Sequence, residues 1–123
     1  MERLFIQGNA TLPTIDFKLD GNLILEGKAL PEDAHKVFAP IFEWIEKFDA
    51  EKMVFDVNLY YFNTAVSKQL YEMFNKAVNN ENVKHVLVKW RYEEGDDDTH
   101  EAGLIYRDEI PKAEFEFYVY AEI

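Results

Sequence analysis

Apolar residues recur along this chain at two periods, and each change of period marks an element. Thr14-Ile15-Asp16-Phe17-Lys18-Leu19 alternates apolar and polar side chains, as a half-buried strand does. Asp20-Gly21 supplies the backbone of a tight turn, and Asn22–Glu26 reads as the returning strand of a hairpin. Leu30-Pro31-Glu32-Asp33 marks a helix start, with proline in the first turn and acids at the positive end of the dipole. Behind it Ala34, Val37, Phe38, Ile41, Phe42, Ile45 and Phe48 form one apolar stripe at helical spacing. Pro40 falls inside that stripe, which predicts a kink or a missing hydrogen bond in place of a break. Trp44 lies off the centre of the stripe and is expected to pack at a sheet edge, in preference to marking a partner surface.

Met53–Phe62 is the best central strand, because Met53, Phe55, Val57, Leu59 and Tyr61 put apolar or aromatic side chains at every odd position. Asp56 and Asn58 leave the second face only partly buried. Thr64–Asn79 returns to helical period through Val66, Leu70, Met73, Phe74 and Ala77. Val83–Tyr92 is a strand with Val86, Val88, Trp90 and Tyr92 on one face. The acidic loop Glu93–Asp98 leads into a shorter helix, Thr99–Glu109, which Pro111 closes. Glu114–Ala121 ends the pattern as a strand with Phe115, Phe117 and Val119 on one side. The order β-β-α-β-α-β-α-β predicts an α/β fold in one domain over residues 1–123: an N-terminal hairpin, then a mixed, mostly parallel sheet with helices packed against it.

Charge narrows the partners. Twenty-four acidic against 13 basic residues give a net charge of −11, which argues against nucleic acid and anionic membranes and fits a basic partner surface. Ten Phe, seven Tyr and two Trp predict a core of large rings, with some left as contact surface. The absence of cysteine removes disulfides, thiolate metal sites and a thiol nucleophile. No basic segment followed by an apolar stretch opens the chain, and the longest apolar runs are too short for a bilayer. A soluble, cytoplasmic protein is the expectation.

Reactive chemistry is thin. His35, His85 and His100 fall in separate elements, and none of them pairs at the spacing of a helical zinc site. Asp96, Asp97, Asp98 and Glu101 could supply oxygen ligands for calcium or magnesium, but they lack the alternating pattern of a calcium loop. Their ordinary role is to stabilise the start of the third helix. No nucleophile elbow and no phosphate-cradling glycine loop is present, so neither catalysis nor a cofactor is expected. What remains is Tyr60-Tyr61-Phe62-Asn63-Thr64-Ala65-Val66-Ser67-Lys68, where a strand runs directly into a helix. Asn63 or Thr64 caps the orphan N–H groups, and the helix dipole favours negative charge there. On residue chemistry alone, capping is the favoured use of both. A phosphate on Thr64 would nevertheless meet a ready-made anion site.

Several runs together resemble a known family. Leu23-Ile24-Leu25-Glu26-Gly27 and Leu30-Pro31-Glu32-Asp33-Ala34 are similar to the opening of SiaC-type regulatory phosphoproteins, and Phe38–Trp44 is similar to their first helix. Tyr61-Phe62-Asn63-Thr64-Ala65-Val66-Ser67-Lys68 resembles the family's Y-F-N-T-S-S-S-K signature, departing from it at Ala65 and Val66. Val88–Asp98 resembles its V-x-W-x-Y strand end and acidic loop. The resemblance implies a fold like that of the STAS domain and of anti-sigma-factor antagonists. It also implies a non-enzymatic partner switch, with Thr64 phosphorylated by a companion kinase and dephosphorylated by a PP2C-type phosphatase. In that scheme the unphosphorylated form binds a diguanylate cyclase and promotes cyclic-di-GMP synthesis. Tyr61, Asn63, Ser67 and Lys68 flank Thr64 and are the expected partner contacts. Two other readings stay open: an unmodified scaffold, and a small metal- or ligand-binding enzyme that uses the Asp96–Asp98 loop. The sequence also leaves open a homodimer through an exposed sheet edge.

Overall fold

A computed structural model describes residues 1–121. Its elements are β1 (Leu4–Ile6), β2 (Thr14–Phe17), β3 (Asn22–Ala29), α1 (Ala34–Lys47), β4 (Lys52–Phe62), α2 (Thr64–Val78), β5 (His85–Glu93), α3 (Asp97–Glu109) and β6 (Glu114–Tyr120). They follow the expected order, with one strand added in front. The six strands form one sheet in sequence order; β1, β2 and β3 pair antiparallel, and β3 to β6 pair parallel. The fold is therefore α/β with a mixed, mostly parallel sheet.

Register explains why one face of the sheet is buried. Leu23, Phe55, Val88 and Phe115 lie in one row across β3 to β6, and Leu25, Val57, Trp90 and Phe117 lie in the next. The strand residues in these rows are buried or half-buried, whereas the alternate rows carry Glu26, Asp56, Asn58, Lys89 and Arg91. The helices pack on the apolar rows, as right-handed crossovers between adjacent parallel strands require. Rings dominate the core: Phe17 meets Trp44 and Phe55 edge-on, and Phe74 meets Phe55, Tyr106 and Phe115. Such pairs contribute roughly 0.5–1.5 kcal/mol each beyond their burial.

Trp44 packs as expected, buried beside Phe17 and Phe48, and its Nε1 donates to the Glu2 carbonyl at 2.7 Å just ahead of edge strand β1. Helix α1 runs unbroken through Pro40. It starts later than expected, because β3 continues through Gly27 to Ala29 and the Leu30 N–H bonds to the Thr11 carbonyl. Pro31 thus precedes the helix, and Asp33 is its cap, accepting from the Lys36 N–H at 3.1 Å. β2 stops at Phe17, so Leu19 sits exposed in the turn. Gly21 takes φ +94° in that turn, a left-handed conformation that favours glycine. Gly103 lets α3 lie against the sheet, since a Cβ there would stand 2.5 Å from Trp90.

Candidate functional site

The amino end of α2 follows from β4 with one intervening residue. The strand ends at Phe62, Asn63 takes extended backbone angles (φ −89°, ψ 176°), and the helix begins at Thr64. The Asn63 side chain accepts from the Val66 N–H at 2.9 Å, and the Ser67 N–H gives the first helical bond to the Asn63 carbonyl at 3.0 Å. The N–H groups of Thr64 and Ala65 come before that bond in the helix and have no intrahelical acceptor. Thr64 is exposed, and its hydroxyl makes no hydrogen bond among the described residues. The first turn of α2 contains no acid, so the positive end of its dipole is uncompensated. Lys68 follows one turn on and is exposed as well.

The other expected contacts divide. Tyr61 is 61 % exposed, against the expectation that it would continue the buried row of β4. The cause is a register shift: Gly27 pairs with Leu59 but Lys28 pairs with Tyr61, so Tyr60 is an extra residue in β4. One inserted residue reverses every later side chain. Tyr61 therefore shares the open face with Lys28, whose Nζ lies 5.7 Å from its ring centre, and Phe62 turns inward to meet Trp90 edge-on. Ser67 is half-buried and held: its Oγ lies 2.9 Å from the Tyr106 Oη, which also donates to the Ser67 carbonyl at 2.8 Å. Tyr106 on α3 was not foreseen as part of this site, and its distance in sequence left no local signal. Burial raises its phenol above the ordinary tyrosine value, opposed by the Ser67 hydrogen bond.

A cleft of about 750 Å³ lies beside the junction, with Tyr60, Tyr61 and Phe62 on one wall and the Glu93–Thr99 turn on the other. The acids of that turn have a structural use. α3 begins at Asp97, two residues earlier than expected, with Asp96 as its cap. Asp96 accepts from the Thr99 N–H at 3.1 Å and from the Thr99 Oγ1 at 2.7 Å, while Asp97 and Asp98 occupy the first turn. No group of three or more His, Cys, Asp or Glu side chains is placed to hold a metal ion among the described residues. The histidines are dispersed: His35 and His85 are exposed, and His100 stacks on Tyr92 at 4.4 Å. No helix among the described residues is long and apolar enough to cross a membrane.

The chain belongs to the SiaC family of regulatory phosphoproteins, whose profile matches residues 6–120. It is 24 % identical over 115 residues to an uncharacterized protein of Pseudomonas aeruginosa strain UCBPP-PA14, covering 89 % of this chain and 90 % of that one. Among solved structures it is similar to SiaC of Pseudomonas aeruginosa (TM-score 0.78, 23 % identity, 99 % of this chain and 100 % of that one). It is equally similar to Pseudomonas aeruginosa SiaC as crystallised with the diguanylate cyclase SiaD, of which SiaC is the activator (TM-score 0.78, 23 % identity, 97 % of this chain and 99 % of that one). At that identity the structural likeness speaks for the fold.

Proposed function

We propose that this protein is a non-enzymatic partner switch whose state is set by phosphorylation of Thr64. A companion protein kinase adds the phosphate, and a PP2C-type phosphatase removes it. The unphosphorylated form binds and activates a downstream effector, a diguanylate cyclase, so that the switch acts on cyclic-di-GMP synthesis. The observation that carries this reading is an exposed threonine hydroxyl at the first position of a helix with no acid in its first turn. Membership of a phosphoprotein family and the homologue's role as a cyclase activator support it.

The physical logic is a small cost inside the protein and a large one at the interface. A phosphate adds about −1.5 to −2 charges and three acceptor oxygens. In the free protein it meets uncommitted N–H groups, the positive dipole end and, one turn on, Lys68. In a docked complex the same group must lose its water or be held against the partner, which is costly without a matching cation. Tyr61, Asn63 and Lys68 surround Thr64 and form the contact surface, with Ser67 behind them tying α2 to α3. The test is titration of the cyclase with wild type, Thr64→Ala and Thr64→Glu, reading both binding and cyclic-di-GMP production. Wild type and Thr64→Ala should bind and activate, and Thr64→Glu should fail at both. Equal binding by all three would reduce Thr64 to a helix-start residue.

A further inference from the structure

The two edges of the sheet are unequal. β1 closes one with three residues, and β6 leaves seven at the other. β6 pairs with β5 along one side, and no described strand pairs with its other side. The Tyr120 carbonyl accepts from the Glu94 N–H on the β5 side. Backbone groups alternate in direction along a strand, so those of Phe115, Phe117 and Val119 point outward. Val119 is 58 % exposed and Tyr118 is 39 % exposed at this edge.

We propose that β6 pairs antiparallel with β6 of a second copy, across a two-fold axis through Phe117. This proposal stands apart from the Thr64 reading. An axis normal to the sheet keeps each face continuous across the two copies, so residues that oppose one another must share a face. Centred on Phe117, Phe115 lies opposite Val119 on the helix face, while Glu116 opposes Tyr118 and Glu114 opposes Tyr120 on the open face. Centring on Glu116 would set two identical carboxylates directly opposite, which is destabilising. Centring on Tyr118 would carry Glu114 past Tyr120, where the strand ends. Only the Phe117 register uses the whole strand and faces each acid with a phenol. Acids on an edge strand ordinarily discourage pairing. Here the Tyr118 Oη already donates to Glu116 at 2.6 Å, and the Arg91 guanidinium, itself paired with Asp56, lies 4.9 Å from the Tyr118 ring centre. Because each copy carries a net charge of −11, added salt should strengthen the dimer by screening their repulsion.

Sedimentation of the full chain over a range of concentrations, at low and raised salt, tests this. The expected result is a monomer–dimer equilibrium that salt shifts toward the dimer and that Val119→Pro abolishes. Proline there removes only an outward N–H, so pairing with β5 should survive. A second experiment reads the register, using the absence of native cysteine. Glu116→Cys and Tyr118→Cys chains are mixed in equal amounts and oxidised, and the mixed disulfide should clearly exceed the two like disulfides taken together, which random pairing would only equal. A monomer throughout, a dimer indifferent to Val119→Pro, or a statistical or Glu116-with-Glu116 pattern of disulfides would overturn the proposal.

Discussion

The starts of α2 and α3 are built alike and charged differently. In each, an Asn or Asp side chain accepts from the backbone N–H three residues on, at 2.9 Å from Asn63 to Val66 and 3.1 Å from Asp96 to Thr99. α3 then adds Asp97 and Asp98 in its first turn, while α2 has no acid there. One dipole end is already matched by carboxylates, and the other is vacant. Cap geometry alone therefore does not mark a regulatory position. Under the proposed switch, the distinguishing feature is the vacancy together with the exposed Thr64 hydroxyl that stands in it.

The contrast breaks most sharply at Thr64. Thr64→Glu should weaken effector binding by about 2–5 kcal/mol, the range for an unpaired charge placed in an interface. In the free protein it should stabilise by about 0.3–1 kcal/mol, because the new carboxylate meets the uncompensated dipole end of α2, and calorimetric titration beside a thermal scan separates the two opposite effects. Next come the caps. Asp96→Ala loses a charged cap and the Thr99 hydroxyl bond and should cost about 2 kcal/mol, against about 1 kcal/mol for Asn63→Ala, by denaturant unfolding. Equal costs would mean that the acids of α3 matter less than their placement suggests.

Tyr106→Phe severs the link between the two helices and should cost about 1 kcal/mol. It also carries a pH signature. The buried Tyr106 phenol has its pKa raised above 10, so the folded state holds the proton more tightly than the unfolded chain does. Its contribution is intact below pH 10 and declines as pH rises through the folded value. Stability of the wild type should therefore fall more steeply than that of Tyr106→Phe above pH 10. The smallest effect sharpens the comparison directly. Ala65→Glu should stabilise by about 0.3–1 kcal/mol, because it fills the vacancy in α2, and Asp98→Ala should destabilise by a similar amount.

Much of this was legible in the pattern of side chains. The start of α2 at Thr64, the apolar rows of β4 and β5 and the stripe of α1 follow from period alone. The failures have particular causes. β1 is three residues long, too short for a period, and it is held by distant groups: Arg3 donates to Asp16 at 2.7 Å, and Trp44 reaches the Glu2 carbonyl. Tyr61 faces outward because of a bulge that depends on the partner strand. The acids at residues 96–98 read as a loop because polar residues conceal a helix start as readily as they form a turn. Tyr106 and the cleft wall join segments far apart in the chain, and no local signal connects them.

Phosphate mapping tests the central claim most directly. Wild type and Thr64→Ala are incubated with the companion kinase and ATP, and the site is read by fragment mass spectrometry. The account predicts one phosphate, on Thr64, and none on Thr64→Ala. A phosphate on Ser67 or elsewhere, or equal labelling of the two chains, would contradict it.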